Sequence, residues 1–334
     1  MTKLDIQILF LEVVFLAGIE TEISRLKSKD VKVKRRAVRH LFEADVPSAL
    51  KGFIPLLTDE DIWFRTKSLE AHRRWASTPS DLAPLMENQQ RLVGELLSKI
   101  DAPELAIELL ENPDSVTRSF AAKSLSSKEE LHKRFSLDDH HSVRVVAAEF
   151  SKDSEIISSL ISDVHSSVRR EAIANASRNN IVVSTEVLNS SMNSSDPSLR
   201  ALLAAMAVKE GGEILEKACK DSNPKVKRAI VDSLKMNVNS VDDRIEIIAK
   251  INPEIALRWL RGRHDPSTNV FRWKLIEDTT IDSRVRAKLL EQMEGRVDID
   301  IARAEIVTQD SSKLVKLAAE NLLASLSELR GEQV

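Results

Sequence analysis

The sequence of 334 residues has very little of several residue types. It contains one cysteine, Cys219, no tyrosine, 8 glycines, 10 prolines and only 4% aromatic residues. A single cysteine excludes an intrachain disulfide and a cysteine-rich zinc site, and it suits a reducing, cytoplasmic location. The shortage of strand-favouring aromatics and of turn residues argues against a β-sandwich or barrel. The composition favours an all-α chain.

The chain also lacks a dominant charge and a long apolar run. With 49 basic and 52 acidic residues, the net charge is -3, so no global field selects nucleic acid or an anionic membrane. The most apolar stretch, residues 6–19, is shorter than the roughly 20 residues that span a bilayer. It contains Gln7 and Glu12, and it lacks the basic region and cleavage site of a signal peptide. We therefore expect no transmembrane segment, and we interpret residues 1–22 as an apolar capping helix through which the chain would contact a partner or a second copy of itself.

What the chain does contain is a repeated pattern, seen in Val143 to Phe150. An aliphatic residue and a cation are followed by small apolar residues, with Asp, Asn or Ser just upstream. Similar copies start at Val116, Val168, Val226 and Val315. A period of 20–50 residues indicates a solenoid. The aligned cations recur every 25 to 31 residues, at Lys34, Arg65, Arg91, Arg118, Arg144, Arg169, Arg200, Lys227, Arg258, Arg286 and Lys316.

This spacing fits two helices of about 11 residues and two short turns. It predicts an α-solenoid, a right-handed superhelix of about eleven helical hairpins. No glycine-rich linker interrupts the series, and the nearest candidate for a break is residues 77–84. We therefore expect one continuous domain over residues 1–334, with repeats over 23–326 and a C-terminal tail over 327–334.

Five prolines follow Asp or Asn, which is the expected start of a helix. The Asx side chain caps a free amide, and proline at the next position has no amide to satisfy. Asn112, Asp196, Asn223 and Asn252 are predicted to begin the second helix of their hairpins, because a repeat cation follows each. Asp265 is predicted to begin the first helix of the next hairpin.

The Asx-Pro-x-Val-Arg-x-x-Ala pattern resembles HEAT repeats, in particular the short HEAT-like type also seen in phycobilisome lyases. The resemblance covers about Ile23 to Leu326. Such motifs specify architecture far more than function. The resemblance implies that the recurring arginine, here Arg144, Arg169 and Arg200, bonds an Asp of a neighbouring turn and holds successive hairpins in register.

The histidines His140 and His165 occupy equivalent repeat positions, each two residues after an Asp. Two imidazoles and a carboxylate could hold a metal, but no third firm ligand is present, which favours polar turn residues instead. HEAT-like deoxyhypusine hydroxylases hold iron with His-Glu pairs. None of the 7 histidines here precedes Glu, so that activity is not implied.

Other catalytic patterns are missing from the sequence. It has no Gly-x-Ser-x-Gly motif and no glycine-rich phosphate loop. Cys219 lies in a predicted helix, where a small packing residue is expected. We therefore predict no catalytic, cofactor-binding or metal-binding residue, no cofactor and no enzymatic activity. A lyase or a metal enzyme is a weaker alternative.

Two basic clusters contain all 4 tryptophans. Arginine beside an exposed aromatic suits phosphate contacts and base stacking, and HEAT-like DNA glycosylases of the AlkD type use a basic, Trp-lined face. Alternatively, tryptophan fills gaps between helices while Arg and Lys lie along the solvated face. The predicted partner-binding residues are Arg35, Arg36, Arg39, Trp63, Arg65, Arg73, Arg74, Trp75, Arg258, Trp259, Arg261, Arg263, Arg272 and Trp273.

From these observations we expect a non-enzymatic scaffold that binds a protein partner on the concave face of the solenoid. An acidic or phosphorylated segment is the expected ligand, because arginine pairs bidentately with carboxylate and phosphate. The alternative is a nucleic-acid-binding protein, with a repair glycosylase as its enzymatic form.

Overall fold

The computed structural model describes residues 18–331, and these residues form helices and turns without any β-strand. The chain divides into two compact units, one ending at Leu160 and the other beginning at Ile161. The division does not fall at residues 77–84, the candidate break in the sequence. Of the apolar segment 6–19, residues 6–17 lie outside the described part, and residues 18–25 are helical. None of the helices within 18–331 is long and apolar enough to cross a bilayer.

The first unit contains ten labelled helices after residues 18–25, among the residues that the structure describes. Single 3₁₀ turns lie at Pro47–Ala49, Ile54–Thr58, Ala83–Leu85 and Glu129–Leu131. The helices are α1 (Val31–Glu43), α2 (Leu50–Phe53), α3 (Ile62–Trp75), α4 (Pro79–Leu82), α5 (Gln90–Leu96), α6 (Pro103–Leu109), α7 (Ser115–Ser124), α8 (His132–Ser136), α9 (His141–Phe150) and α10 (Ser154–Leu160).

The second unit continues the same alternation of a first helix and a second helix. Its helices are α11 (Ser166–Arg178), α12 (Thr185–Ser191), α13 (Pro197–Glu210), α14 (Gly212–Cys219), α15 (Pro224–Asn237), α16 (Asp243–Ile251), α17 (Pro253–Leu260), α18 (Pro266–Glu277), α19 (Ser283–Glu291), α20 (Ile301–Val307) and α21 (Lys313–Arg330). Helix α21 continues through Arg330, so residues 327–330 of the predicted C-terminal tail are helical.

Odd-numbered helices are the second helices of the repeat, and most of them pack on the next one within their unit. Contacts join α5 to α7 and α7 to α9 in the first unit, and they join α11, α13, α15, α17, α19 and α21 in succession in the second. The even-numbered helices, apart from the short α4, each pack against an odd-numbered neighbour, as α8 does on α9 and α20 on α21. All eleven aligned cations lie on the eleven odd-numbered helices of residues 18–331. The prediction of an all-α repeat architecture is therefore confirmed.

Most of these cations occupy the same position relative to the N-cap of their helix. Nine of the eleven lie four residues after the N-cap, as Arg118 follows Asp114 and Arg200 follows Asp196. The two exceptions are Arg91, two residues after its N-cap, and Arg258, six residues after its N-cap Asn252. In both of these helices the fourth position holds an apolar residue instead.

The proline-based N-caps are confirmed in three places and corrected in one. Asp196, Asn223 and Asp265 each cap their helix through the side chain. Asn112 is not an N-cap. It lies two residues before the true cap, Asp114, and accepts the Asp114 N–H with its side chain. Asn252 does begin α17, but its side chain makes no capping bond there.

A repeat arginine joins its own turn to the next hairpin. Nη1 of Arg118 donates to the carbonyl oxygens of Asn112 and Pro113 at 3.0 and 3.1 Å, while its Nε and Nη2 donate to Asp138 at 3.0 and 2.9 Å. Arg200 repeats this arrangement, donating to the Ser194 carbonyl and to Asp221, both at 2.6 Å. This is the register-holding role that the HEAT resemblance implies for Arg200.

Candidate partner-binding groove

A groove of about 810 Å³ lies across three consecutive second helices of the second unit, α15, α17 and α19. Its apolar lining comes from one aliphatic residue on each helix: Val231, Leu257 and Val285. Val231 and Leu257 are buried in the core, and Val285 is half-buried, so these side chains form the floor. Polar and charged side chains from the same three helices surround it.

The groove lies where the repeat departs from its register. Helices α16 and α17 are separated by Asn252 alone, so the usual turn with its Asp two residues before the N-cap is missing. Asn252 instead donates from its side-chain amide to the Cys219 carbonyl at 3.0 Å. The cation of the preceding repeat, Lys227, pairs with Glu254 at 3.4 Å, on α17 itself. Arg258 therefore does not hold a turn as most other repeat arginines do, and it lines the groove instead.

Positive charge exceeds negative charge in this groove. Five cations and two carboxylates line it: Lys235, Arg258, Arg261, Arg284, Lys288, Glu254 and Asp282. Both carboxylates are already engaged. Arg258 donates to Glu254 at 2.6 Å and lowers the pKa of that carboxyl, and Asp282 accepts the backbone N–H of Arg284 at 2.8 Å as the N-cap of α19.

Four of the five cations remain available to a ligand. The side chains of Lys235, Arg261, Arg284 and Lys288 are exposed and form no ion pair with any residue in 18–331. An incoming anion would therefore meet cations that do not have to leave an internal partner. This excess charge over an aliphatic floor is the feature that a partner segment with both acidic and apolar side chains would match.

Of the predicted residues near the C-terminal end, Arg258 and Arg261 line the groove, but the aromatics do not. Trp259 is fully buried and donates from Nε1 to the Val238 carbonyl at 3.2 Å, and Trp273 is 5% exposed. Arg263 lies over the Trp259 ring, 4.4 Å from its centroid. None of these three side chains lines the groove, and Trp273 instead lines a separate cavity beside Val270 and Arg303.

Arg272, also predicted to bind a partner, is fully buried. Its Nη2 donates to the carbonyls of Leu260 and Arg263 at 2.9 and 2.7 Å, and its Nη1 donates to Asn269 Oδ1 at 2.7 Å. Burial lowers the pKa of Arg272 to about 10. Through these hydrogen bonds the guanidinium holds the turn between α17 and α18. Because it is fully buried, a partner cannot reach it.

The predicted cluster in the first unit is largely used for packing. Trp75 is buried and donates from Nε1 to Asp45 at 2.8 Å, and Arg74 pairs with the same carboxylate at 2.8 Å. The two hydrogen bonds, from Trp75 first and then Arg74, lower the pKa of Asp45. Trp63 is half-buried against Phe64.

The remaining cations of this cluster fall into two groups. Arg35 pairs with Asp61 at 2.9 Å, Arg73 with Glu95 at 3.6 Å, and Arg65 donates to the carbonyls of its own turn. Arg36 and Arg39 are exposed, and neither has a hydrogen-bond or ion-pair partner within residues 18–331. Of this cluster, only these last two cations stay available to a ligand.

Sequence reasoning missed three of the groove cations: Lys235, Arg284 and Lys288. Isolated cations on exposed helix positions are common, so nothing in the local sequence distinguishes them. The signal that could have located them is the position of Arg258. It lies six residues after Asn252, the N-cap that Pro253 marks, whereas most repeat cations lie four residues after theirs.

The remaining candidates have structural roles. His140 and His165 are N-caps whose Nδ1 atoms accept the backbone N–H of Ser142 and Ser167, which confirms the interpretation as turn residues. Residues 18–331 contain no group of three or more His, Cys, Asp or Glu side chains that could hold a metal. Cys219 is buried, and burial raises the pKa of its thiol to about 12, so it is a packing residue and not a thiolate.

Comparison with known proteins gives structural similarity alone. No protein-family model matches the sequence, and no curated protein sequence matches it. The chain is similar to the crystal structure of an engineered protein, with 17% identity and a TM-score of 0.37, over 92% of this chain and 98% of that one. It is also similar to importin beta crystallised in an ammonium sulfate condition, with 14% identity and a TM-score of 0.35 over 93% of this chain. The match covers 46% of importin beta, so the chain spans about half the length of that protein.

Proposed function

We propose that this chain is a HEAT-like, non-enzymatic scaffold that binds an acidic segment of a protein partner in the groove across α15, α17 and α19. The observation that carries the proposal is the excess of cations around an aliphatic floor. Four unpaired cations face a cavity whose two carboxylates are both engaged. An acidic segment supplies the missing negative charge, and one aliphatic side chain of it fills the floor.

A protein segment fits this surface better than a nucleic acid does. Base stacking requires exposed aromatic rings, but Trp75, Trp259 and Trp273 are all buried. Binding to a duplex also depends on many phosphate contacts along a basic face, whereas these cations belong to one groove on a chain of net charge -3. The aliphatic floor has no role in contacts to a phosphate backbone.

The test uses the full-length chain immobilised on beads and a fluorescein-labelled peptide pool with a central Leu-Glu-Glu and randomised flanks. We expect Arg261→Glu combined with Lys288→Glu to lower retention of this pool roughly tenfold or more, because two of the four unpaired cations become anions. Circular dichroism would confirm that the helical content is unchanged.

The matched control is Lys313→Glu combined with Lys316→Glu. Both lysines are exposed on α21 of the same unit, away from the groove, and the change in net charge is identical. Equal retention by the groove variant and this control would refute the proposed site. Displacement of the pool by a short DNA duplex at low salt would favour the nucleic-acid alternative instead.

A further inference from the structure

We propose that the groove recognises a phosphorylated side chain in the bound segment, at the end formed by the C-terminal halves of α15 and α17. This inference rests on the proposed function, because it specifies the group that the segment presents. The phosphate would contact Arg258, Arg261 and Lys288, with Lys235 at the edge. The aliphatic side chain of the segment would lie on Val231 and Leu257.

Four of the five groove cations lie towards the helix ends, whereas Arg284, two residues after the N-cap of α19, lies at the helix starts with the two acids. A phosphate is therefore favoured at the helix ends, where only cations line the groove. Asp282 is the N-cap of α19, and Glu254 is the second residue of α17, so both acids lie at the helix starts. Arg258 and Lys288 each lie six residues after their N-caps, and Arg261 lies nine after its own. At 1.5 Å per residue, these cations lie roughly 6 to 13 Å further along the helices than the acids.

Successive second helices of a hairpin array run in the same direction, so the cations of neighbouring helices lie at matching heights. Helices α17 and α19 pack against each other, and packed helix axes lie about 8–10 Å apart. Arg258 lies in the last turn of α17, and Arg261, three residues later, is the C-cap of that helix. Their long side chains, together with Lys288 from α19, can therefore approach one ligand group from two helices.

This arrangement suits a phosphate better than a single carboxylate. A phosphoserine carries about -1.5 to -2 charge and three strong acceptor oxygens, so it can accept from two guanidinium groups and an ammonium at once. A carboxylate carries one charge and two oxygens, and one arginine satisfies it bidentately. Glu254 already binds Arg258 through one oxygen at 2.6 Å and Lys227 through the other at 3.4 Å. A dianion outcompetes this internal carboxylate, whereas another glutamate would only match it.

The experiment compares three peptide pools that share a fixed leucine and the same randomised flanks and differ in one central residue: serine, glutamate or phosphoserine. We expect the full-length chain to retain the phosphoserine pool roughly tenfold more than the glutamate pool, and the serine pool least. Arg261→Lys keeps the charge but removes the planar fork. It should therefore reduce the preference for phosphoserine over glutamate.

Each outcome decides between the two proposals. Equal retention of the phosphoserine and glutamate pools would overturn phosphate recognition and leave the acidic-segment function standing. Failure to retain either acidic pool would overturn both. A preference for phosphoserine that Arg261→Lys and Lys288→Ala leave unchanged would place the phosphate somewhere other than this groove.

Discussion

Arg200 and Arg258 belong to equivalent second helices of the same unit, yet they have opposite environments. Arg200 lies four residues after its N-cap, its side chain is 17% exposed, and it joins Asp221 of the next hairpin at 2.6 Å. Arg258 lies six residues after its N-cap, is 45% exposed, and pairs only with Glu254 of its own helix. Two residues turn the helix by about 200°. The register relative to the N-cap, and not the residue type, decides whether a repeat cation holds the array or faces a ligand.

The acidic partners differ in the same way. Burial alone would raise the pKa of Asp221, but the hydrogen bonds from the Arg200 guanidinium and the Asn223 N–H outweigh burial and lower that pKa below its usual value. The pKa of Glu254 is lowered chiefly by its hydrogen bond from Arg258, in an exposed setting. Breaking a buried pair leaves an uncompensated charge, whereas an exposed pair adds little stability. The comparison therefore predicts effects of very different size.

The largest effect should follow Arg286→Ala. Arg286 and Asp310 are 4% and 7% exposed, and Arg286 also donates to the Ile276 carbonyl at 2.6 Å. Removing the arginine leaves a buried carboxylate without its ion-pair partner. The free energy of unfolding, measured by urea denaturation, should therefore fall by roughly 3 kcal/mol. The double variant Arg286→Met/Asp310→Leu should recover most of the loss. A loss below about 1 kcal/mol for Arg286→Ala would contradict the structural role.

A smaller effect should separate Arg200→Ala from Arg258→Ala. We expect about 1.5 kcal/mol of destabilisation for Arg200→Ala, because charged hydrogen bonds to Asp221 and to a carbonyl are lost. For Arg258→Ala we expect less than about 0.5 kcal/mol, because its ion pair is exposed. Thermal unfolding of the two variants side by side measures the difference. Equal destabilisation would mean that register does not decide the role of the cation.

The smallest effect concerns binding and not stability. Glu254→Gln removes the internal carboxylate that holds Arg258 and Lys227, so retention of the phosphoserine pool should rise roughly threefold with an unchanged melting temperature. Glu246→Gln is the control, since Glu246 pairs with Lys274 outside the groove. Weaker retention by Glu254→Gln would show that Glu254 assists the ligand and does not compete with it.

The sequence predicted the parts of the fold that depend on local chemistry. The repeat period, the second helices and the caps at Asp196 and Asn223 follow from short patterns that do not depend on distant contacts. The displaced cap near Asn112 shows the limit of this reasoning. Two polar residues, Asn112 and Asp114, compete for the cap there, and only the helix geometry selects Asp114.

The site was predictable only in part, because it depends on which helices are neighbours. Arg258 and Arg261 were identified by composition, yet Lys235 and Lys288 come from helices more than twenty residues away in either direction. The burial of the tryptophan side chains could not be predicted from the sequence either. Trp259 directly follows Arg258 and Trp63 lies two residues before Arg65, but the first tryptophan is fully buried and the second is half-buried.

The loss of the turn at Asn252 also has a mechanical consequence. A row of hairpins is held together by joints between nearest neighbours. The joint between α15 and α17 has a lysine–glutamate contact at 3.4 Å, whereas the joint between α13 and α15 has the shorter and less exposed Arg200–Asp221 pair at 2.6 Å. We expect this joint to be more compliant than the joint between α13 and α15. A ligand lying across α15, α17 and α19 would span this joint. Binding would therefore stiffen the part of the array that has the weaker ion pair.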